Sequence, residues 1–536
     1  MKKLKLVCVA IAMACAAPSF AGGLLTNTNQ HVAFNRMMSR EASIGIDGVY
    51  YNPAGVVFMG EGHHLAINWQ LAFQTRTINN DYALFTNNVN NPITPRDFKG
   101  TAFAPVIPSF QYAYNKGKWS FQASFALTGG GGKCTFDDGL GSFEKIVAET
   151  AIAACGLAGV VDQTLGNTLG QPGMEMFTSD QAFGKTGKYS FNSYMHGRQY
   201  YYGLSVGAAY KFCDNFSAFL GVRGVYALTN YYGYVENINV GNMPLYKVLD
   251  PTKENAANIE LSCDQTGVGF TPIIGVDYKT GRWNFSAKYE FKTRIRLKNK
   301  SVNQTPSIGN LPANLANQMT GILTARYQQA GLPLEQAKQQ AENTTNAVLN
   351  DPTVGATMMG LKTQFDQKLN KAIGEYEDGK KIAGDIPAYL ALGVGYSPVD
   401  AVRVNVGFHW FDDKNATSYN TRNKELKRGT LEYNAGVEVD VNKKITLSTG
   451  WQNTNYGLSD EYMDDKSFVV SSNSVAIGGV YHINKKMDLN VAYFHTFYQH
   501  KKTSEKVQLT AEKSINYSSD YTRNNNVFAV GLDINF

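Results

Sequence analysis

Along most of this chain apolar and polar residues alternate one for one. Trp283, Phe285, Ala287, Tyr289 and Phe291 interleave with Asn284, Ser286, Lys288, Glu290 and Lys292. Tyr202, Leu204, Val206, Ala208 and Tyr210 follow the same pattern, as do Val402, Val404, Val406, Phe408 and Trp410. A period of two sets one strand face against an apolar medium and the other against a polar one. The pattern predicts fourteen strands, at 62–77, 104–115, 118–129, 198–213, 215–234, 259–279, 282–299, 385–398, 401–412, 427–441, 444–456, 467–483, 486–502 and 520–536.

The connections between them alternate in length. Tight turns ("NKGK" at 115–118, "CDN" at 213–215, "KTGR" at 279–282, "SPVD" at 397–400, "VNKK" at 441–444, "INKK" at 483–486) take turns with longer loops, notably 130–197, 235–258 and 300–384. A soluble sandwich also alternates along its strands, but strict short–long alternation over an even strand number is the layout of a transmembrane β-barrel. The predicted fold is therefore all-β, a 14-stranded antiparallel barrel spanning residues 62–536. The last strand, with Phe528, Val530, Leu532, Ile534 and Phe536 on one face, ends on an aromatic residue. Such an end presents a recognition signal to the barrel assembly machinery.

Composition agrees. The chain has 31 Tyr, 29 Phe and 51 Gly with only 18% charged residues. The opening "MKKLKLVCVAIAMACAAPSFA" has Lys2, Lys3 and Lys5 before an apolar core and Ser19-Phe20-Ala21 as a cleavage site, so residues 1–21 are expected to be a signal peptide. Beyond it no apolar run of about 18 residues is expected to cross a membrane as a helix. Those lysines carry three of the six excess positive charges, and the slightly basic remainder gives no reason to expect a nucleic-acid partner. Cys134, Cys155, Cys213 and Cys263 are too few for a disulfide scaffold; Cys134 and Cys155 could pair, or all four could be free thiols.

Residues 22–61 lack alternation yet are too apolar for a disordered tail. A barrel of fourteen strands is too wide for side chains alone to fill, so this segment is expected to be a plug folded into the lumen. It carries "ASIGIDG" at 42–48 and "YYNPAGVVFMG" at 50–60, with Asn52-Pro53-Ala54 at its centre. Together with "DIPAYLALGVGYSPVDAVRVNVGFHWF" at 385–411, these residues resemble the FadL-type long-chain fatty-acid transporters of bacterial outer membranes. The resemblance implies a fourteen-stranded barrel, an N-terminal hatch built on the Asn-Pro-Ala motif, no cofactor, and a hydrophobic small molecule as cargo.

"FALTGGGGKCTF" at 125–136 superficially suggests a phosphate-binding loop. The residue five before Gly132 is Leu127, Lys133 is followed by Cys134, and "CTFDDGLGSF" shows no helical period, so the P-loop mechanism is not available. Gly129, Gly130, Gly131 and Gly132 instead weaken the end of the third strand and favour a bulge or bend there; a flexible lead into the following loop is the alternative. In the family resembled, the third strand kinks inward and opens a sideways exit into the membrane. The four glycines are the expected wall break.

An acyl chain gains about 0.8 kcal/mol per CH₂ removed from water, so external loops should offer apolar surface. Leu361, Phe365, Leu369 and Ile373 form one helical stripe, and Leu315, Met319, Ile322 and Leu323 a second. The stripes either line a docking groove or pack on each other. In the family resembled, two long external loops form the hydrophobic docking site, with 235–258 and 300–384 as counterparts. A carboxylate would require a cation inside. Strand parity puts Lys288, Lys292, Arg294 and Arg296 on the lumenal face, and Arg223 likewise; pairing with acids such as Glu290 is the alternative role.

No Ser/His constellation for an enzyme emerges, and no metal site is assigned; His63-His64 at the barrel rim is the weakest of metal candidates. The expected function is passive uptake of hydrophobic compounds, long-chain fatty acids first, by a monomeric outer-membrane channel with hatch movement. An aromatic-hydrocarbon channel, an unplugged polar porin and a surface adhesin or structural barrel are the rivals.

Overall fold

The computed structural model describes residues 24–306, 309–509 and 513–536; the expected signal peptide lies outside them. Fourteen antiparallel strands close into a barrel. They are β1 Gly62–Tyr82, β2 Arg96–Lys116, β3 Trp119–Phe136, β4 Tyr189–Cys213, β5 Phe216–Val240 and β6 Ile259–Thr280. Next come β7 (Trp283–Glu290, resuming at Arg296–Gln304), β8 (Lys381–Ala383, resuming at Tyr389–Val399), β9 Val402–Phe411, β10 Thr430–Asn442 and β11 Ile445–Asn455. The last are β12 Ser472–Asn484, β13 (Met487–Tyr498 and Lys501–Gln508) and β14 Ser514–Asn535. β1 pairs with both β2 and β14, which closes the sheet and leaves no edge. At the seam the His63 and Phe536 backbones exchange hydrogen bonds of 2.8 and 2.9 Å, and their rings stack.

The alternating pattern resolves into two faces. Trp69, Phe73, Phe121, Leu204, Leu220, Phe270, Phe285, Val406, Trp451, Ile477 and Phe528 are exposed on the outside. Asn68, Gln70, Gln111, Arg223, Glu290, His409, Glu432 and Glu438 are buried inside. The short turns and the C-terminal Phe536 gather at one end of the barrel and the long loops at the other, as expected for strands that reverse at every connection.

Two features depart from the sequence reading. Helix α3 (Gly141–Thr168) follows the short helices α1 (Val32–Met37) and α2 (Gly48–Tyr51), inside a loop where no helical period was expected. Among the described residues it is the one helix long and apolar enough to cross a membrane by length and composition, whereas no such run was anticipated. It lies at the mouth of the barrel instead: buried Glu144 pairs with Arg96 and accepts from Asn88 at 2.9 Å, and Asp162 accepts from the Thr178 amide at 2.9 Å. Contacts on several sides explain why its apolar residues form no single stripe.

The remaining helices are α4 (Tyr246–Leu249) and three in the 300–384 loop: α5 (Leu311–Gln329), α6 (Leu334–Leu349) and α7 (Pro352–Ile373). Asp351 caps α7 by accepting from the Thr353 amide at 2.8 Å, with Pro352 at its first position. Cys134, Cys155, Cys213 and Cys263 are free thiols, so the Cys134–Cys155 bridge left open by the sequence is not formed.

Candidate functional site

The segment before β1 fills the lower lumen, with Phe34, Met38, Tyr50 and Tyr51 as its apolar core. It is fastened to the wall by charge. Arg36 and Arg40 reach Glu438 of β10 at 2.6 and 2.7 Å, and Arg40 also grips Asp47 at 2.7 Å. Glu41 meets His409 of β9 at 2.7 Å, whose other ring nitrogen meets Glu432 at 2.8 Å. Removing one partner of such a pair strands the other charge in a buried site, at about 3–5 kcal/mol. Within the segment, the neighbouring Arg40 holds the Asp47 carboxyl below its ordinary range despite burial.

The Asn52-Pro53-Ala54 turn is held by three strands, and a fourth holds Tyr50 just before it. Asn52 donates to Asp277 of β6 at 2.6 Å, Gln122 of β3 donates to the Pro53 carbonyl at 2.7 Å, and Ser217 of β5 to the Ala54 carbonyl at 2.7 Å. Lys288 of β7 donates to the Tyr50 carbonyl at 2.6 Å. The turn exposes its carbonyls to the wall because Asn52 folds its own side chain back onto the Gly55 amide at 3.1 Å.

Above this plug the wall opens between β2 and β3. The two strands pair at Thr101–Thr135 and again from Phe110–Phe125, leaving 102–109 unpaired with 126–134. Pro105 and Pro108 lie in that stretch of β2, where a missing N–H removes no ladder bond. On its other side β3 holds residues 128–131 against only 200–201 of β4, between Leu127–Tyr202 and Gly132–Gln199. The two surplus residues bulge inward at the glycines. Gly130 has φ +99° and a Cβ there would sit 2.4 Å from the Gln199 carbonyl oxygen, so only glycine fits. The bulge pairs with the start of the chain: the Gly130 amide donates to Leu25 and the Asn27 amide to Thr128, at 2.9 and 3.0 Å.

Two cavities lead to this place. The outer one, partly open to solvent, lies under α3 and α7 against the ends of β4–β6. Phe143, Val147, Tyr234, Leu245, Phe365 and Leu369 give it an almost wholly apolar lining. The inner cavity lies in the lumen, with Leu24, Gly130 and Gly132 at its floor and Arg76, Lys466, Tyr456, Tyr498 and Arg523 around it. Met195, Tyr231 and Lys466 line both, so the cavities adjoin.

The structure distributes the predicted residues unevenly. Phe365, Leu369 and Ile373 line the outer cavity, and Leu361 and Leu315 an adjoining apolar one. Met319 and Leu323 are instead buried in the core of the helical cap, and Ile322 is exposed on its outside beside Arg326. Arg223 and Lys288 do face inward, but both bind Glu290, at 2.6 and 2.9 Å, against the Tyr50 ring of the plug, and neither lines either cavity.

Arg294 and Arg296 do not line the lumen, and Lys292, which donates to the Asn415 carbonyl at 3.1 Å, lines neither cavity. Between Ile273–Glu290 and Thr266–Lys298, β6 supplies residues 267–272 and β7 the longer stretch 291–297. The one extra residue flips every later side chain to the other face. Thr293, Ile295 and Leu297 are buried, while Arg294 and Arg296 are exposed. Parity read across an undetected bulge produced the error. The lumenal pair Arg76 and Arg523 was missed because each sits alone in a polar stretch.

No protein-family model matches the chain and no curated protein matches it in sequence. Solved structures do. A FadL homologue of Pseudomonas aeruginosa aligns at a TM-score of 0.57 with 13% identity, over 96% of this chain and 100% of that one. The toluene transporter TodX of Pseudomonas putida aligns at 0.50 with 12% identity, over 96% and 100%. At such identities the likeness establishes the fold: this chain has the architecture of the FadL-type barrels.

Proposed function

We propose that this chain is a FadL-type channel of a bacterial outer membrane, organised as a signal peptide (1–21), a hatch (22–61) and a barrel (62–536), and that it carries hydrophobic molecules inward without catalysing a reaction. The observation that carries the reading is the pair of adjoining cavities, apolar outside and lumenal inside, whose floor is the β3 bulge at a gap in the wall. Cargo collects in the outer cavity, passes Met195 and Tyr231 into the lumen, and leaves sideways between β2 and β3. The apolar driving force, about 0.8 kcal/mol per CH₂, keeps it out of the water below the plug. Movement of the hatch segment paired with Gly130 opens the last step, and no energy source is needed for downhill flow.

The cargo we favour is a long-chain fatty acid. Arg76 and Arg523 supply the cationic end that an acyl carboxylate needs, replacing Arg223, Lys288, Lys292, Arg294 and Arg296 in that role. The toluene transported by TodX makes a neutral aromatic the second reading, favoured by the apolar lining of the outer cavity. Radiolabelled oleate binding to the purified barrel, challenged with toluene and with methyl oleate, tests this. Saturable oleate binding that methyl oleate displaces poorly supports the fatty acid; equal displacement by toluene and methyl oleate moves the cargo to neutral hydrocarbons; no saturable binding of any of them overturns the channel.

A further inference from the structure

The bulge that removes Arg294 and Arg296 from the lumen builds something on the outside. Past it, Arg294, Arg296, Lys298 and Lys300 are all exposed on the outward face of β7, with Ile295, Leu297 and Asn299 buried between them. Alternate residues of a strand lie about 6.8 Å apart, so the four cations form a row about 20 Å long. Lys381 of β8 is exposed and directly opposite Lys298 in register, a like-charge pair that a sheet tolerates poorly unless an anion joins it.

The protein itself supplies little counter-charge. Arg296 meets buried Asp385 at 2.9 Å. Asp264 stands opposite Lys300 in register but accepts from Asn230 at 2.9 Å and lies 4.0 Å from Arg198. Arg294, Lys298, Lys300 and Lys381 form no ion pair among the described residues.

The row also has a definite height. Phe291 of β7, with Val268 and Phe270 of β6, ends the outward apolar belt beside it, and the row continues from there towards the long loops. Cations at that border extend their apolar stems along the belt and place their charges in the headgroup layer. Arginine and lysine together offer planar and point-charge contacts to phosphate oxygens.

We propose that Arg294, Arg296, Lys298, Lys300 and Lys381 form a docking site on the outer wall for a multiply phosphorylated lipid of the outer leaflet, an inference that rests on placing the barrel in an outer membrane with its long loops outside. The bulge thus serves two purposes: it keeps these charges from the cargo route and turns them to the lipid that surrounds the barrel.

The test is retention of diphosphorylated lipid A by the detergent-purified, full-length mature barrel, measured by native mass spectrometry. Arg294→Gln, Lys298→Gln and Lys300→Gln are made singly and together, with Lys253→Gln in an external loop as control. Heat-modifiable migration checks folding, and the single variants carry the test if the triple variant does not fold. Each lost cation should lower lipid A affinity about fivefold, with monophosphorylated lipid A bound more weakly by wild type and less affected. Unchanged lipid A binding in the folded variants overturns the proposal, as does displacement by millimolar inorganic phosphate alone, which would mark a free-anion site. Oleate binding is recorded in the same samples: its absence would count against the channel reading while leaving lipid A docking to stand or fall on its own data.

Discussion

Arg76 of β1 and Arg523 of β14 stand directly opposite each other in register and line the same lumenal cavity. Arg76 donates to Gln74 at 3.0 Å and Arg523 to the Phe468 carbonyl, and neither pairs with an acidic side chain among the described residues. Two like charges on facing positions oppose the sheet unless an anion joins them. A hydrogen bond to a charged group contributes about 1.5–3 kcal/mol. Arg76→Gln should therefore weaken oleate binding about tenfold to a hundredfold and leave methyl oleate binding almost unchanged. Equal loss for acid and ester would show that the residue shapes the cavity instead of binding the carboxylate.

The two surplus residues of β3 make a second expectation. Deleting two of Gly129–Gly132 restores one-to-one pairing with β4 and lets β3 meet β2 across 102–109. The gap should close, stopping uptake into liposomes while oleate still binds in the inner cavity. Uptake at the wild-type rate from the deleted barrel would mean that cargo leaves by another path.

The barrel was legible because a closed sheet between lipid and lumen imposes a period of two on every strand, and because its turns and loops differ in length. Val402 to Trp410 shows that pattern without interruption and forms β9 as read. The site was less legible, for reasons visible at single residues. The extra residue in 291–297 leaves the alternation of Arg294, Ile295, Arg296 and Leu297 intact while reversing which face it addresses. Helix α3 escaped because a helix contacted on several sides shows no stripe. Arg76 and Arg523 lie 447 positions apart, and only closure of β1 on β14 makes them neighbours.

Asp413, in the loop after β9, accepts the Leu24 amide at 3.1 Å and the Thr430 amide at 3.0 Å, tying the first described residue of the chain to the barrel mouth. Burial pushes its carboxyl up to about 6. Between the ordinary value of 3.8 and about 6 the folded protein keeps a proton that the unfolded chain has released. Stability should therefore fall as pH rises through that window and level off above about 6, by at most about 3 kcal/mol. Unfolding in urea and detergent at pH 4 to 7 should show this slope in wild type and lose it in Asp413→Asn. An unaltered slope in the variant would assign the titration to another group.

Whether the plug must part from the wall can be decided by a cross-link that the geometry already suggests. A Cβ built on Gly395 of β8 would sit 3.3 Å from the Cβ of Ala42 in the plug. Cysteines bridge at Cβ separations of about 3.5–4.5 Å, so Ala42→Cys with Gly395→Cys should close once the Asn405 side chain, whose Oδ1 would lie 2.5 Å from the new Cβ, turns aside, in a background where Cys134, Cys155, Cys213 and Cys263 are serine. The bond leaves the outer cavity untouched, since Ala42 lies among the residues of the lower lumen. Oxidised protein should bind oleate as wild type does yet fail to pass it into liposomes, and a reductant should restore passage. Full-rate passage through completely cross-linked protein would mean that the plug stays against β8 throughout and that only the Leu25–Asn27 segment paired with the β3 bulge moves.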